Sequence, residues 1–160
     1  MAVHDLKELK SLIDPKSRIL GMDQGTKTIG LALSDERLSF ATPLETMNRK
    51  KFMADIAHIN GLMREYNVST FIIGLPVNMD GSEGPRCQSV RHFGDNLLRL
   101  GKDIFDQEPH IAFWDERLST SAVERFLIDE VDMNRKRRSE VIDKMAACHI
   151  LQGALDFLKN

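Results

Sequence analysis

Residues 18–34 read RILGMDQGTKTIGLALS, and this stretch decides the fold. Two apolar runs, Arg18–Met22 and Ile29–Ser34, are separated by a polar turn that contains glycine. Each run has the length and the apolar content of a buried strand. A connection this short joins antiparallel neighbours. The stretch therefore predicts a β-hairpin with an acidic residue, Asp23, where its first strand ends.

The pattern after this hairpin changes from strands alone to strands that alternate with helices. A third strand is predicted at Leu38–Leu44, with Pro43 marking its end, and apolar residues at steps of three and four predict a helix over Phe52–Tyr66. The later predicted elements are a strand at Thr70–Gly74, a helix with Pro85 in its first turn, a strand at Ile111–Asp115, a helix from Ser119 or Thr120 to Ile128, a polar basic loop from Asp129 to Arg138, and a final helix capped by Ser139. Strands that alternate with helices join a sheet in parallel. We predict an α/β fold: a mixed five-stranded sheet, an antiparallel β-meander followed by parallel strands, flanked by helices.

Composition places the chain among ordinary globular domains. It has 160 residues, of which 42% are hydrophobic, so we predict one domain over residues 1–160 with a short appended helix at about residues 4–14. The net charge of −2 argues neither for nor against nucleic acid as a partner. No apolar run approaches 18 residues, so we expect no membrane partner. Cys87 and Cys148 lie far apart and the N-terminus lacks a secretory signal, which predicts free thiols and a cytoplasmic location.

Carboxylates follow or flank three of the predicted elements. Asp23 ends the first strand, Asp115 and Glu116 end the strand at Ile111–Asp115, and Asp143 lies near the start of the final helix. Each has an ordinary interpretation: a turn aspartate, solvated loop charges, or an acid that complements the helix dipole. Together, carboxylates from three separated segments suggest a site for Mg²⁺, which prefers oxygen ligands. Two such ions, about 4 Å apart, can activate water and stabilise the leaving oxygen of a phosphodiester.

Four segments resemble one known family. They are ILGMDQGTKTIGLA at 19–32, IGLPVNMDGSEGP at 73–85, WDERLST at 114–120, and IDKMAA at 142–147 followed by ILQ at 150–152. In this order they are similar to the motifs of the YqgF family, also called RuvX. The resemblance covers most of the chain and implies an RNase H-like fold.

The resemblance also implies a metal-dependent nuclease of the two-metal-ion type that uses Mg²⁺ or Mn²⁺. Its catalytic, metal-binding triad would be Asp23, Glu116 and Asp143, with Asp115 in place of Glu116 if the strand ends one residue earlier. The family is associated with maturation of the 5′ end of the 16S ribosomal RNA precursor, which we favour, and with resolution of Holliday junctions. Junction resolution requires two active sites and therefore a homodimer, whereas RNA trimming can proceed as a monomer.

Two other functional classes stay open at this point. The final motif carries a single acidic residue, Asp143, which keeps a catalytically degenerate nucleic-acid-binding module possible as an interpretation. The run Asp23–Thr26 also looks like the phosphate loop of sugar kinases and actin-like ATPases, but those proteins need two such domains around the nucleotide.

Several polar and basic residues are candidates for contacts to nucleic acid. They are Lys27 in the hairpin turn, Asn78 in the loop after the strand at Thr70–Gly74, Arg117 beside the acidic pair, and the basic run Arg135, Lys136, Arg137 and Arg138. Basic side chains near such a site suit phosphate contacts, which position a nucleic acid without reading its sequence. The ordinary alternative is a solvated charged surface. The favoured partner is an RNA precursor, with branched DNA second.

Overall fold

The structure of the protein, a computed structural model, describes residues 3–118 and 135–159. In chain order the elements are α1 (Leu6–Leu12), β1 (Arg18–Gln24), β2 (Thr28–Ser34), β3 (Ala41–Asn48), α2 (Phe52–Tyr66), β4 (Val68–Leu75), α3 (Pro85–Leu100), β5 (His110–Asp115) and α4 (Arg135–Lys159). A single 3-10 turn, Glu116–Leu118, follows β5. The predicted helix from Ser119 or Thr120 to Ile128 lies outside the described residues.

One five-stranded sheet, in the order β3-β2-β1-β4-β5, organises the molecule. Strands β1, β2 and β3 pair antiparallel, and β1, β4 and β5 pair parallel. The predicted mixed sheet, a meander followed by parallel strands, is therefore confirmed. Because β1, β4 and β5 run the same way, their carboxyl ends meet at one edge of the sheet.

Helices cover both faces of this sheet. In β1, Leu20 and Met22 join the core under α2 and α3, whereas Ile19 joins the core under α1 and α4. This alternation follows from the two-residue period of a strand. All eight residues of β4, an interior strand between β1 and β5, are buried, as expected for a strand covered on both faces.

The third strand differs from its prediction at both ends. It runs over Ala41–Asn48, and Pro43 lies inside it, opposite Ala32, at an irregularity in the register. Because β3 is the edge of the sheet, a proline that cannot donate to a neighbour is tolerated there. The preceding residues form a turn in which the Asp35 carboxylate accepts the Ser39 amide at 2.7 Å. The predicted start at Leu38 was wrong for that reason.

The final helix begins earlier than predicted. Helix α4 is described from Arg135, so the basic run at 135–138 is helical rather than a loop, and Ser139 is not its cap. Lysine and arginine are good helix formers, and no proline or glycine interrupts the run. Asp143 then lies more than two turns inside the helix, beyond the reach of a dipole effect confined to the first turn. Within the described ranges, none of the helices combines the length and apolarity that a membrane crossing requires.

Candidate active site

Two of the predicted acidic residues, Asp23 and Glu116, come together at the carboxyl edge formed by β1, β4 and β5. Asp23, the next-to-last residue of β1, is opposite Gly30 of β2. On the other side, Met22 pairs with Ile73, so Asp23 comes level with Gly74 of β4. Asp23 therefore has a glycine as its neighbour on each adjacent strand.

Helix α4 crosses the sheet at Gly30. A methyl group at Gly30 would overlap the backbone carbonyl of Asp143, so the strand and the helix are in backbone contact at this point. Next to it, the Thr28 hydroxyl donates to Oδ2 of Asp143 at 2.7 Å. The structure therefore places Asp143 over the strand that neighbours Asp23.

Glu116 reaches toward Asp23 across Gly74. A methyl group at Gly74 would lie 2.6 Å from Oε1 of Glu116 and 2.5 Å from Cδ1 of Ile150. The side chains of Glu116 and Asp23 are in hydrogen-bonding contact. Burial, the neighbouring Asp23 charge and this hydrogen bond raise the pKa of Glu116 to about 7, while Arg86 opposes the shift. Two carboxylates thus share a space in which full ionisation of both is unfavourable.

Asp115, the alternative to Glu116, has a different partner. Its carboxylate binds the Arg117 guanidinium through two oxygens, with an Nη2–Oδ2 distance of 2.6 Å and an Nε–Oδ1 distance of 3.1 Å. Hydrogen bonds from Arg117 hold the pKa of Asp115 below its usual value. The structure brings Asp23 and Glu116 together and turns Asp115 to Arg117.

The predicted nucleic-acid contacts lie in four different segments: the β1–β2 turn, the loop after β4, the turn after β5 and the described start of α4. Lys27 is exposed in the β1–β2 turn. Asn78 is also exposed, and its side-chain amide donates to the Ser82 hydroxyl at 3.1 Å, which closes the loop after β4. Arg117 is engaged by Asp115. The backbone of 135–138 forms the start of α4, and the side chains of that run lie outside what the structure describes.

Sequence reasoning missed two arginines that flank the turn after Asp23. Arg49 Nη1 donates to the Gly25 carbonyl at 2.8 Å, and Arg86 Nη2 donates to the Gln24 carbonyl at 3.4 Å. A signal for Arg86 was present, because Pro85 marked the start of a helix at the carboxyl end of a strand. No comparable signal exists for Arg49, which reaches the turn only through the pairing of β2 with β3.

The donor chemistry at this edge fits a hard divalent cation. Among the described residues, no three carboxylate, imidazole or thiol groups converge closely enough to form a ready-made metal cluster. The Asp23–Glu116 pair nevertheless offers oxygen donors of like charge, which a divalent cation would neutralise. Asp143 on α4 supplies a third carboxylate, and the Thr28 hydroxyl on β2 holds that carboxylate by a hydrogen bond.

A mixed five-stranded sheet with acidic residues at the carboxyl edge of β1 and just after β5 defines an RNase H-like protein. A family model described as "RuvX: Holliday junction resolvase" matches residues 17–157. The chain belongs to this RuvX family, and the resemblance seen in its motifs is confirmed.

Relatives and solved structures agree with this assignment. The chain is 57% identical to a protein of Rhodospirillum centenum over 160 residues, which cover 100% of this chain and 84% of that one. It is 52% identical to a protein of Phenylobacterium zucineum, covering 100% of this chain and 99% of that one. Both relatives carry the name "Putative pre-16S rRNA nuclease".

Two solved structures share the fold at low identity. Thermus thermophilus RuvC in complex with a Holliday junction has a TM-score of 0.51 at 9% identity, covering 89% of this chain and 96% of that one. The yeast mitochondrial Holliday junction resolvase Ydc2 has a TM-score of 0.50 at 13% identity, covering 96% of this chain and 84% of that one. At these identities the likeness is one of fold alone.

Proposed function

We propose that this protein is a divalent-metal-dependent nuclease that hydrolyses phosphodiester bonds in the 5′ region of the 16S ribosomal RNA precursor. The observation that carries the proposal is the contact between Asp23 and Glu116, a half-buried carboxylate pair that a cation would neutralise. Full-length relatives at 49–57% identity, all named for pre-16S rRNA, support RNA as the substrate class.

We assign the metal to Asp23, Glu116 and Asp143, with Mg²⁺ or Mn²⁺ as the ion. When bound, it would supply a Lewis acid and an activated water for attack on phosphorus. Thr28 orients the Asp143 carboxylate, and Gly74 leaves the space in which Glu116 meets Asp23. These residues hold the donors in place before substrate arrives.

Contacts to the RNA backbone are assigned to the rim of this edge. We assign them to Lys27 and Asn78, which are exposed, to Arg117, which pairs with Asp115, and to the basic run 135–138 at the described start of α4. We propose that residues 1–160 work as one domain in the cytoplasm, where the two free cysteines stay reduced. Trimming of one RNA strand needs one active site, so a monomer suffices.

A cleavage panel tests this function against the junction-resolving alternative. We expect Mg²⁺- or Mn²⁺-dependent cutting of a precursor-rRNA-like RNA at a rate at least about tenfold above that of a four-way DNA junction or of single-stranded DNA. The Asp23→Asn variant serves as the inactive control. Faster cutting of the junction would move the assignment to a resolvase. Binding without cleavage of any substrate would identify a degenerate binding module.

The Asp115→Asn variant separates the two neighbouring acids. Because Asp115 binds Arg117 rather than Asp23, we expect Asp115→Asn to keep RNA cleavage within about threefold of wild type. Exposed ion pairs contribute roughly 0–1 kcal/mol, so the melting temperature should change little. The measurement is the single-turnover cleavage rate at saturating metal. Loss of activity comparable to that of Asp23→Asn would transfer the metal-binding role from Glu116 to Asp115.

A further inference from the structure

Arg86 lies at the carboxyl edge of the sheet. It is the second residue of α3, which begins with Pro85 after the loop that follows β4. Its side chain is exposed and makes one long hydrogen bond, 3.4 Å, to the Gln24 carbonyl. Gln24 directly follows Asp23 at the end of β1. The guanidinium therefore lies at the carboxyl end of β1, one residue beyond Asp23.

Three other arginines whose side chains the structure describes, Arg117, Arg91 and Arg49, are occupied. Arg117 holds Asp115 through two oxygens. Arg91 binds Glu83 in the same way, with an Nε–Oε1 distance of 2.6 Å, and stacks over the Phe113 ring at 5.3 Å. Arg49 donates to the Gly25 carbonyl and stacks over the Phe93 ring at 5.6 Å. Each has a partner that fixes its guanidinium.

Arg86 contrasts with these three. Within residues 3–118 and 135–159 it forms no ion pair and stacks on no ring. A guanidinium has five N–H donors in a planar fork that matches the oxygens of a phosphate. Among the described residues, one of those donors has a partner, and that bond is weak at 3.4 Å. The remaining donors are available to an anionic ligand.

We propose that Arg86 forms a phosphate-binding site that anchors the substrate strand next to the Asp23–Glu116 pair. The ligand is a phosphodiester of the bound strand, whose non-bridging oxygens accept from the guanidinium. The acidic pair repels a phosphate that approaches it, and a fixed cation at the rim offsets this repulsion. The inference rests on the proposed nuclease function and adds to it a substrate-binding residue.

Binding and turnover of matched variants test this site. In an Asp23→Asn background, which separates binding from cleavage, we expect Arg86→Ala to weaken the Kd for a single-stranded precursor-rRNA-like oligonucleotide by about tenfold, as the loss of a charge-assisted hydrogen bond predicts. The slope of log Kd against log salt should fall by roughly 0.7, the value for one phosphate contact on a single strand. Arg86→Lys should restore the salt slope but only part of the affinity, because an ammonium lacks the fork.

The matched control is Arg64→Ala. It removes the same charge from the last turn of α2, where Arg64 pairs with Asp106 at 2.8 Å, and it should leave affinity and slope unchanged. With Asp23 intact, Arg86→Ala should raise KM more than it lowers kcat. If Arg86→Ala binds with wild-type affinity and slope while the wild type cleaves RNA, the phosphate site is refuted and the nuclease function stands. If the wild type cleaves no RNA, the proposed function itself fails.

Discussion

Replacing Glu116 by glutamine is expected to abolish cleavage and, at the same time, to stabilise the metal-free protein. Loss of even an outer-shell partner of a metal ligand costs 10- to 100-fold, so loss of a ligand should lower the cleavage rate by roughly a thousandfold or more. The stability of the fold should increase instead, because Glu116 is half-buried beside Asp23 and its ionised form is unfavourable in the fold. A neutral amide of the same shape removes that repulsion.

The size of the stabilisation depends on pH. The pKa of Glu116 rises from 4.5 to about 7 on folding, so below pH 4.5 the carboxyl is protonated in both states and the variant gains nothing. Between pH 4.5 and 7 the unfolded chain ionises while the folded protein retains the proton, and the wild type loses stability as pH rises. Above pH 7 the loss is complete and corresponds to roughly 3 kcal/mol.

Thermal melts of both proteins in EDTA at pH 4.5 and pH 8 measure this difference. The melting temperature of Glu116→Gln should exceed that of wild type at pH 8 and match it at pH 4.5. Excess Mg²⁺ should raise the melting temperature of wild type and close the gap. The control is Glu83→Gln, since hydrogen bonds from Arg91 lower the pKa of Glu83 and its amide should not stabilise the fold. Equal stability of wild type and Glu116→Gln at pH 8 would contradict the carboxylate pair.

Replacing Gly30 by alanine is expected to damage the fold and the site together. Its methyl group would overlap the Asp143 carbonyl, and both partners are backbone atoms of regular elements that cannot rotate away. Overpacking of this kind costs about 3 kcal/mol. The melting temperature should fall by roughly 6 to 12 °C, given the usual scaling for a chain of this size. The cleavage rate should fall by more than the loss of folded protein accounts for, because the displaced helix carries Asp143 away from β1.

Gly61→Ala is the control for this experiment. Gly61 is exposed within α2, and a methyl group there would meet nothing within 4 Å. Alanine favours the helix over glycine by about 1 kcal/mol, so the same substitution should stabilise the protein and leave cleavage intact. A Gly30→Ala protein that melts within about 2 °C of wild type would show that α4 can move off the sheet without loss.

The strand and helix pattern of this protein follows from local sequence. Short connections between apolar runs determined the meander, and the alternation after Phe52 determined the parallel half of the sheet. Two local signals misled, the first for a tertiary reason and the second because helix propensity was overlooked. Pro43 ended the predicted third strand, but an edge strand tolerates it, and the basic run at 135–138 looked like a loop, although its residues are good helix formers.

The candidate site, like the fold, was predictable from the sequence only in part. The sequence by itself placed Asp23 and Glu116 at strand ends, because acidic residues after apolar strands are visible in one dimension. It also placed Asp143 near the start of the final helix, whereas the structure has it more than two turns inside α4. Only the tertiary structure decided their partners. The choice between Asp115 and Glu116 depends on which carboxylate crosses Gly74 and which binds Arg117. The contact of Arg86 with the Gln24 carbonyl, and its lack of an ion pair among the described residues, depend on how α3 packs beside the end of β1. Such contacts join residues far apart in the chain, and no local pattern encodes them.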